Sequence, residues 1–426
     1  MGILKRGDLG SAVELLQLGL SRAGFGEGLE RDGIFGPATE QALRRFQRAN
    51  SLYADGVAGQ QTHQALLPWY TGFRRHQVRP GESIYTIAGR YGASGEAIIT
   101  ANPGLVPERL QSGTVITVPL PFSLVPTDIR YSSVLVAYIV RGLAARYPFI
   151  STGQIGKSVM GRPLWRLSLG WGENRVLYNA SHHANEWICT PLLLKFAEEL
   201  AEAYARRGMI CGQSAEEILN YAAIHMIPAL NPDGIDLVTG ALRAGDYYRR
   251  ALAIAADYPA IPFPSGWKAN IQGIDLNLQY PAGWEQARAN KYALGYISPA
   301  PADFVGVAPL SASESRAMYE YTLAFSPELI LAYHTQGEVI YWRYEDSDPP
   351  GAEEIVRLFS EVSGYPAEDT PYSSAYAGYK DWFIRSFDRP GYTVEAGLGQ
   401  NPLPLTQFDR IYRDNMGILT LGAIVT

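Results

Sequence analysis

The sequence predicts a multidomain chain: a small all-α bundle, then a compact βααβ unit, then a large α/β domain. Three observations carry that expectation. Leucine-rich helical stripes broken by Asp-Gly turns fill roughly the first 70 of 426 residues. A strand, two short helices and a second strand follow. Beyond a Pro-rich stretch, apolar runs alternate with amphipathic ones to the end of the chain. The expected domain limits are 1–70, 76–120 and 122–426.

Composition narrows the function classes. With 47% apolar residues the chain can bury a full core. Its 36 basic and 42 acidic residues give a formal charge of -6, and no run of Lys or Arg supplies the basic footprint that nucleic acid binding needs. The N-terminal MGILKRGDLGSAVELLQ carries early charges and no apolar h-region, so no signal peptide is visible, and no apolar stretch is long enough to span a bilayer. The expected location is cytoplasmic, or spore or cell-wall associated in a bacterium. Cys189 and Cys211 are too few for a disulfide framework and read as buried thiols, with their pairing left open.

In the first segment, LGSAVELLQLGLSRAGF places Val13, Leu16 and Leu20 on one helical face, and PATEQALRRFQRAN does the same with Ala42, Leu43 and Phe46. DGIFG separates them, and DGVAGQQTHQALL repeats the phrase before a third short helix. The paired DG-x-x-G phrases resemble the peptidoglycan-binding domain of bacterial wall hydrolases. PWYTGFRRH reads as a linker. Residues 77–119 then supply a strand, a helix over Ser83 to Tyr91, a second helix ending at Asn102-Pro103, and the strand TVITVP. V-x-x-GES-x-x-x-IA-x-x-YG, the Asn-Pro and L-x-SGT-x-I-x-VP resemble a LysM module, a resemblance that implies binding to N-acetylglucosamine-containing glycans. Two such modules imply one partner, peptidoglycan.

The third segment follows PLPFSLVPTDIRYSS. RVLYNA, a helix from about Trp187 to Arg207, AAIHMIPAL, SESRAMYEYTLAF, LILAYH, EEIVRLFSEVSG and GYTVEAG argue a sheet with helices on both faces. Ligands of such sheets sit at the carboxyl ends of strands. His183, Asn231, His334 and Glu395 each follow an apolar run, so all four are expected near one edge.

NASHHANEW, starting at Asn179, holds the densest metal-ligand chemistry. A catalytic zinc needs three protein ligands and an open position for water. His183 and Glu186, three apart at a strand-to-helix junction, can turn to one point, and a third ligand must come from elsewhere. Of six histidines, His63 and His76 lie in or beside the binding modules. That leaves His334, at the end of ELILAYH, ahead of His225, which reads as a core histidine, and His182, which points to the opposite side of the extended chain from His183. Glu395 sits in the apolar GYTVEAG, where burial should raise its pKa; beside a metal-activated water it could take a proton and pass it to a leaving amine.

HANEW, NPDG, GIDLN, AYHTQ and TVEAG, in this order, resemble the zinc metallocarboxypeptidase family, and the resemblance spans most of the third segment. It implies an α/β mixed-sheet fold, Zn2+ as cofactor, His183, Glu186 and His334 as its ligands, Glu395 as general base and Asp275 as the carboxylate that orients His183. It also implies a mobile tyrosine, at Tyr372 first and Tyr376 second, and Lys268 where an arginine that polarises the carbonyl is usual. The pattern departs from digestive members at the carboxylate clamp: Asn185 and Leu278 stand where the family has arginines, while Asn277 is retained in the substrate site. A cavity without its bidentate clamp should not favour ordinary C-terminal residues. The same pattern is similar to the branch that cleaves γ-D-glutamyl bonds to diaminopimelate, the endopeptidase I type, with Arg243, Arg249, Arg250 and Arg343 as candidates for the substrate carboxylates. The expected function is a zinc metallopeptidase of murein stem peptides. Its rivals are a carboxypeptidase on free peptides and a catalytically inactive wall-binding adaptor.

Overall fold

The computed structural model describes residues 2–425, which fall into two compact units dividing at the start of the strand that begins at Ser151. In the first unit, α1 (Ser11–Leu20), α2 (Pro37–Ala49) and α3 (Gln60–Thr71) form the helical bundle. Val13, Leu16, Leu20, Ala42, Leu43 and Phe46 are all buried, as the stripes require.

The two DG-x-x-G phrases are a repeat in three dimensions as well as in sequence. Gln17 of α1 accepts from the Gly33 N–H and donates to Asp32 and Thr39. Gln47 of α2 accepts from the Gly56 N–H and donates to Asp55 and Thr62. Each buried amide therefore satisfies a turn that cannot pair with itself. Gly33 and Gly56 take φ 74° and 73°, which the turn demands and a side chain resists.

The stretch expected as a linker is ordered secondary structure. Pro68 to Thr71 complete α3, Gly72 caps it at φ 73°, and Phe73 to His76 enter a strand. That strand, β1 (Phe73–Gln77), pairs antiparallel with β2 (Val115–Pro119), which satisfies its backbone and explains why a polar, arginine-rich segment is extended. Between them lie α4 (Ile84–Tyr91), started by a capping box from Ser83 and Thr86, and α5 (Gly95–Thr100), capped by Ser94. Asn102 ties the end of α5 to β2, donating to Ile98 and Thr117 carbonyls and accepting from the Thr117 N–H. Helix α6 (Ser133–Arg146) packs within the same unit, its Arg146 guanidinium donating to the carbonyls of Gly72, Leu120 and Phe122.

The second unit runs β3 (Ser151–Lys157), β4 (Pro163–Leu169), β5 (Asn174–Ala180), α7 (Cys189–Ala205), a ribbon of β6 (Met209–Ile210) and β7 (Gln213–Ser214), α8 (Ala215–Tyr221), β8 (Ala222–Ile227), α9 (Pro232–Val238), α10 (Asp246–Ala256), α11 (Trp284–Ala293), α12 (Ser313–Phe325), β9 (Leu329–His334), β10 (Val339–Tyr341), α13 (Ala352–Ser363), β11 (Ala367–Glu368), α14 (Tyr379–Phe387), β12 (Gly391–Glu395) and α15 (Phe408–Leu421). Its sheet has eight strands in the order β11-β10-β12-β9-β5-β8-β4-β3. The central pairs β12/β9, β9/β5 and β5/β8 are parallel, while β10/β12 and β8/β4 are antiparallel, so the sheet is mixed.

Central strands covered on both faces need unbroken apolar runs, which is why LILAYH is buried at every position. One face carries Leu177, Ile330 and Ala332 against Met318 of α12 and Trp382 and Phe383 of α14. On the other, Tyr178 packs against Phe196 of α7 and donates its hydroxyl to the Leu419 carbonyl of α15. From β5 the chain crosses to β8 on one side and later to β9 on the other, so strand order reverses between β5 and β9. In an open sheet that reversal leaves a crevice at the carboxyl ends.

Cys211, expected to be buried, is exposed, and neither it nor the buried Cys189 is paired. The reason is the two-residue turn of the β6–β7 ribbon, where Cys211 and Gly212 both have positive φ, 48° and 77°. Among the described residues no helix is long and apolar enough to cross a membrane.

Candidate metal centre

The crevice between β5 and β9 is where the polar cluster lands. After Ala180 the chain leaves the strand at Ser181, whose φ of 58° turns the backbone out of the sheet. His183 then precedes a 3-10 turn, Ala184–Glu186, which brings the Glu186 carboxylate back over the ring. The NPDG motif supports this turn from below. Asn231 caps α9 and donates to the carbonyls of His182 and Ala269. Gly234 lets α9 close on the turn, since a Cβ there would stand 2.6 Å from that of Ala184. Asn231 is thus fully buried beneath the site and is not among the residues lining it.

His183, Glu186 and His334 converge. His183 Nδ1 lies 2.9 Å from Glu186 Oε1, His334 Nδ1 2.8 Å from Glu186 Oε2, and the two ring nitrogens are 3.1 Å apart. All three residues are at least 95% buried. Among the described residues this is the one group of three or more His, Cys, Asp or Glu placed to hold a metal ion, with one donor atom from each inside 4.8 Å. Two imidazole nitrogens and a carboxylate oxygen are the donor set of a catalytic zinc, which keeps a further position open. Asp275 Oδ1 lies 3.1 Å from His183 Nε2, a contact that would keep a proton on that nitrogen and leave Nδ1 to face a bound metal. The residues fit zinc.

Sheet register places the other reactive group. Glu395 pairs with His334 across β12 and β9, and so emerges beside it at the same edge. Burial, reinforced by the Glu186 charge and opposed by Lys268 and His183, pushes the Glu395 carboxyl up to about 8. Glu186 moves the other way: burial would raise it, but the two imidazoles hold it well below the usual carboxylate range. Burial alone would lower His183, yet the carboxylates of Glu186 and Asp275 raise it to about 9 against Lys268. Burial lowers His334 against the opposing Glu186 carboxylate, with His183 and Lys268 adding to the effect. For Lys268 burial is outweighed by Asp275, Glu186, Asp303 and Glu395, which keep it charged.

These groups line one cavity of about 400 Å³, together with Asn185, Asn277, Leu278 and Tyr341. The Asn185 Oδ1 is buried without a hydrogen-bond partner, and the Asn277 Oδ1 accepts from the Tyr379 N–H, which leaves its amide donors for the cavity. Tyr372 stands apart: 64% exposed, it packs edge-on against the half-buried Tyr376, and neither is among the lining residues. Nor are the four arginines proposed for substrate carboxylates. Arg243, Arg249 and Arg250 are exposed, and Arg343 lies over the Trp342 ring. The cationic lining consists of lysines instead: Lys268, Lys291 and Lys380. Lys291 pairs with Asp303 at 2.5 Å and Lys380 with Asp381 at 2.7 Å. Sequence reasoning missed both pairs, as well as Asn401, which exchanges hydrogen bonds with Thr335 and fixes the loop after His334.

The remaining histidines are structural. His182 Nε2 pairs with the Tyr280 hydroxyl, and its ring lies against His334 at 5.7 Å without joining the donor group. His225 bonds the Tyr321 hydroxyl, stacks on Phe325 at 3.8 Å, and is lowered to about 3 by burial and by Arg166.

Comparison with known proteins agrees with this geometry. A peptidoglycan binding domain model matches residues 10–66, a LysM domain model residues 76–119 and a zinc carboxypeptidase model residues 136–417. Gamma-D-glutamyl-L-diamino acid endopeptidase 1 of Lysinibacillus sphaericus is 40% identical over 303 residues, covering 71% of this chain and 74% of that protein. The fold matches bovine thrombin-activatable fibrinolysis inhibitor (TM-score 0.53, 17% identity, 70% of this chain and 97% of that one) and a carboxypeptidase A from Helicoverpa armigera (TM-score 0.51, 19% identity, 71% and 75%). A family model spanning well over half of the residues, on a fold shared with solved carboxypeptidases, means that this chain belongs to the zinc carboxypeptidase family.

Proposed function

We propose that the chain is a zinc-dependent murein peptidase that hydrolyses the γ-D-glutamyl–diaminopimelate bond of stem peptides. In this reading 1–70 and 76–120 hold it on the wall and 122–426 carries the chemistry. The observation that carries the hydrolytic part is the meeting of His183, Glu186, His334 and Glu395 in one buried cavity. The bond is supported by the likeness to an endopeptidase whose name specifies γ-D-glutamyl-L-diamino acid, and by a cavity lined with lysines where a bidentate clamp would need arginine.

His183, Glu186 and His334 would hold the zinc, and Asp275 would fix the tautomer of His183. Zinc, when bound, supplies Lewis-acid polarisation of the carbonyl and acidifies a water. Glu395 takes the proton of the attacking water and delivers it to the leaving amine, a double role that suits a carboxyl poised at about 8. Lys268, held charged by four carboxylates, meets the negative charge that grows on the carbonyl oxygen. Asn185 and Asn277 offer hydrogen bonds to the bound peptide.

Mass spectrometry of purified murein digested by the zinc-loaded protein tests the reading. New termini at the D-glutamyl γ-carboxyl and at the diaminopimelyl amine are expected. Release of terminal D-alanine alone, or preference for ordinary L-peptides, would overturn it.

A further inference from the structure

Lys291 of α11 is 8% exposed, yet its side chain reaches the cavity wall and its ammonium meets Asp303 at 2.5 Å. Asp303 has an uncommon backbone: its φ is 66°, in the left-handed region that glycine alone enters freely. In that conformation its N–H donates to Asp275 Oδ2 at 3.3 Å. One residue therefore joins a buried lysine to the carboxylate behind His183.

Asp303 belongs to a strap, residues 300–304, laced to residues 268–275 through the backbone. The N–H groups of Lys268 and Ala269 donate to the Pro301 carbonyl, that of Asp275 to Phe304, and that of Ala300 to Gly273. The approach is close, since a Cβ at Gly273 would stand 2.9 Å from the Ala300 nitrogen. Asp275 Oδ1 is already shared, lying 3.1 Å from His183 Nε2 and accepting from the Asn277 N–H. Its other oxygen meets the strap. A carboxylate turns readily about its terminal bond, so it orients an imidazole firmly when both oxygens are held. At 3.3 Å the Asp303 contact lies just outside the usual N–H···O range, and a strained residue keeps its conformation only while its surroundings hold it. Lys291 supplies a hold on the side chain of that same residue.

Resting on zinc at His183, Glu186 and His334 as proposed above, we infer that Lys291 is a positioning residue of the metal centre: by anchoring Asp303 it keeps the Asp303 N–H on Asp275, and so sets the ring of His183 for the metal. Charge gives this role a distinct sign. A cation beside a cation site opposes metal binding, so on charge alone the removal of Lys291 tightens zinc. Removal of an anchor loosens it, because the partners behind a metal-ligating imidazole change metal affinity by about 10- to 100-fold.

Zinc affinity, measured against a competing chelator, tests this in the wild type, Lys291→Met and the double variant Lys291→Met/Asp303→Asn. Lys291→Met keeps most of the bulk and removes the charge, and should bind zinc about 10-fold more weakly. The double variant removes both charges of the pair and should stay as weak as Lys291→Met, because the loss passes through Asp303. With saturating cobalt(II) in place of zinc, the visible absorption of Lys291→Met should differ from that of the wild type, as the ligand geometry does. The wild type alone gives a readout independent of how the variants fold: coupling is reciprocal, so zinc should raise hydrogen-exchange protection of the amides of residues 300–304. Zinc binding that is unchanged or tighter in folded Lys291→Met overturns the inference, as do identical cobalt spectra or strap amides indifferent to zinc. A raised KM at unaltered zinc affinity also overturns it, and makes Lys291 a substrate contact. A wild type that binds no zinc overturns the metal assignment itself, and this inference with it.

Discussion

Glu186, buried, and Glu395, half-buried, are carboxylates at the end of one sheet, and their neighbours drive them apart. Two imidazoles keep Glu186 ionised, while burial beside that charge lifts Glu395 to about 8. Such divergence is what the proposed roles of ligand and proton carrier require, because the same residue type cannot do both jobs in one environment. Glu395→Gln should therefore keep its zinc and lose about 10²- to 10⁴-fold in kcat/KM; metal analysis beside a peptide-release assay checks both, and a variant as active as the parent removes the proposed role. Asp275→Asn should weaken zinc affinity by about 10- to 100-fold, because the His183 tautomer is no longer imposed; titration against a chelator of known affinity measures it. The donor residues were legible because His183 and His334 each follow an apolar run, Glu186 stands three residues after His183, and their types are those zinc takes. Lys291 and Lys380 were not legible, since what makes them cavity residues is the packing of α11 and α14. The one local sign was YKDWF, where opposite charges sit inside an aromatic stretch.

Among the elements, α4 shows how one side chain can hold a small unit together. Glu82, just before its cap, accepts from the Arg79 N–H at 2.9 Å, pairs with His76 of β1 at 2.7 Å, and meets Arg90 at 2.6 Å. The Arg79 N–H first, then His76 and Arg90, hold its carboxyl down at about 2. A pKa depressed on folding adds stability above the ordinary carboxylate range, near 4.5, and that stability is lost as pH falls toward 2. Glu82→Gln should therefore lower hydrogen-exchange protection of the β1 and β2 amides at pH 7, and the gap between variant and parent should close as pH approaches 2. A gap independent of pH would assign the loss to packing instead. Most elements could be read from periodicity, as LILAYH and SAVELLQLGL show. β1 could not, because FRRHQ carries no apolar alternation and becomes a strand only through its pairing with β2. The Gln17 and Gln47 contacts were likewise invisible, for a glutamine in a leucine stripe reveals nothing of the turn it will satisfy.

At the scale of the whole molecule, a peptidoglycan-binding domain and a LysM domain precede a peptidase of the zinc carboxypeptidase family, and under the proposed function they would act on rate through concentration rather than through chemistry. A tethered enzyme meets the stem peptides near its anchor at an effective concentration set by reach, which can raise apparent activity by about 10²-fold or more without any new contact in the cavity. A soluble stem peptide offers no anchor, so the modules should leave its turnover unaltered. Removing them by truncation would confuse the comparison, because α6 packs against α3 and takes the carbonyls of Gly72, Leu120 and Phe122 through Arg146. Competition on the intact chain avoids that. Soluble N-acetylglucosamine oligomers at saturating concentration should slow digestion of sacculi by up to about 100-fold and leave cleavage of the free stem peptide unchanged. Equal slowing of both would mean that the oligomer enters the catalytic cavity. No slowing of either would mean that the modules do not hold the enzyme to glycan, and the anchoring half of the proposed function would fall while the hydrolytic half stood.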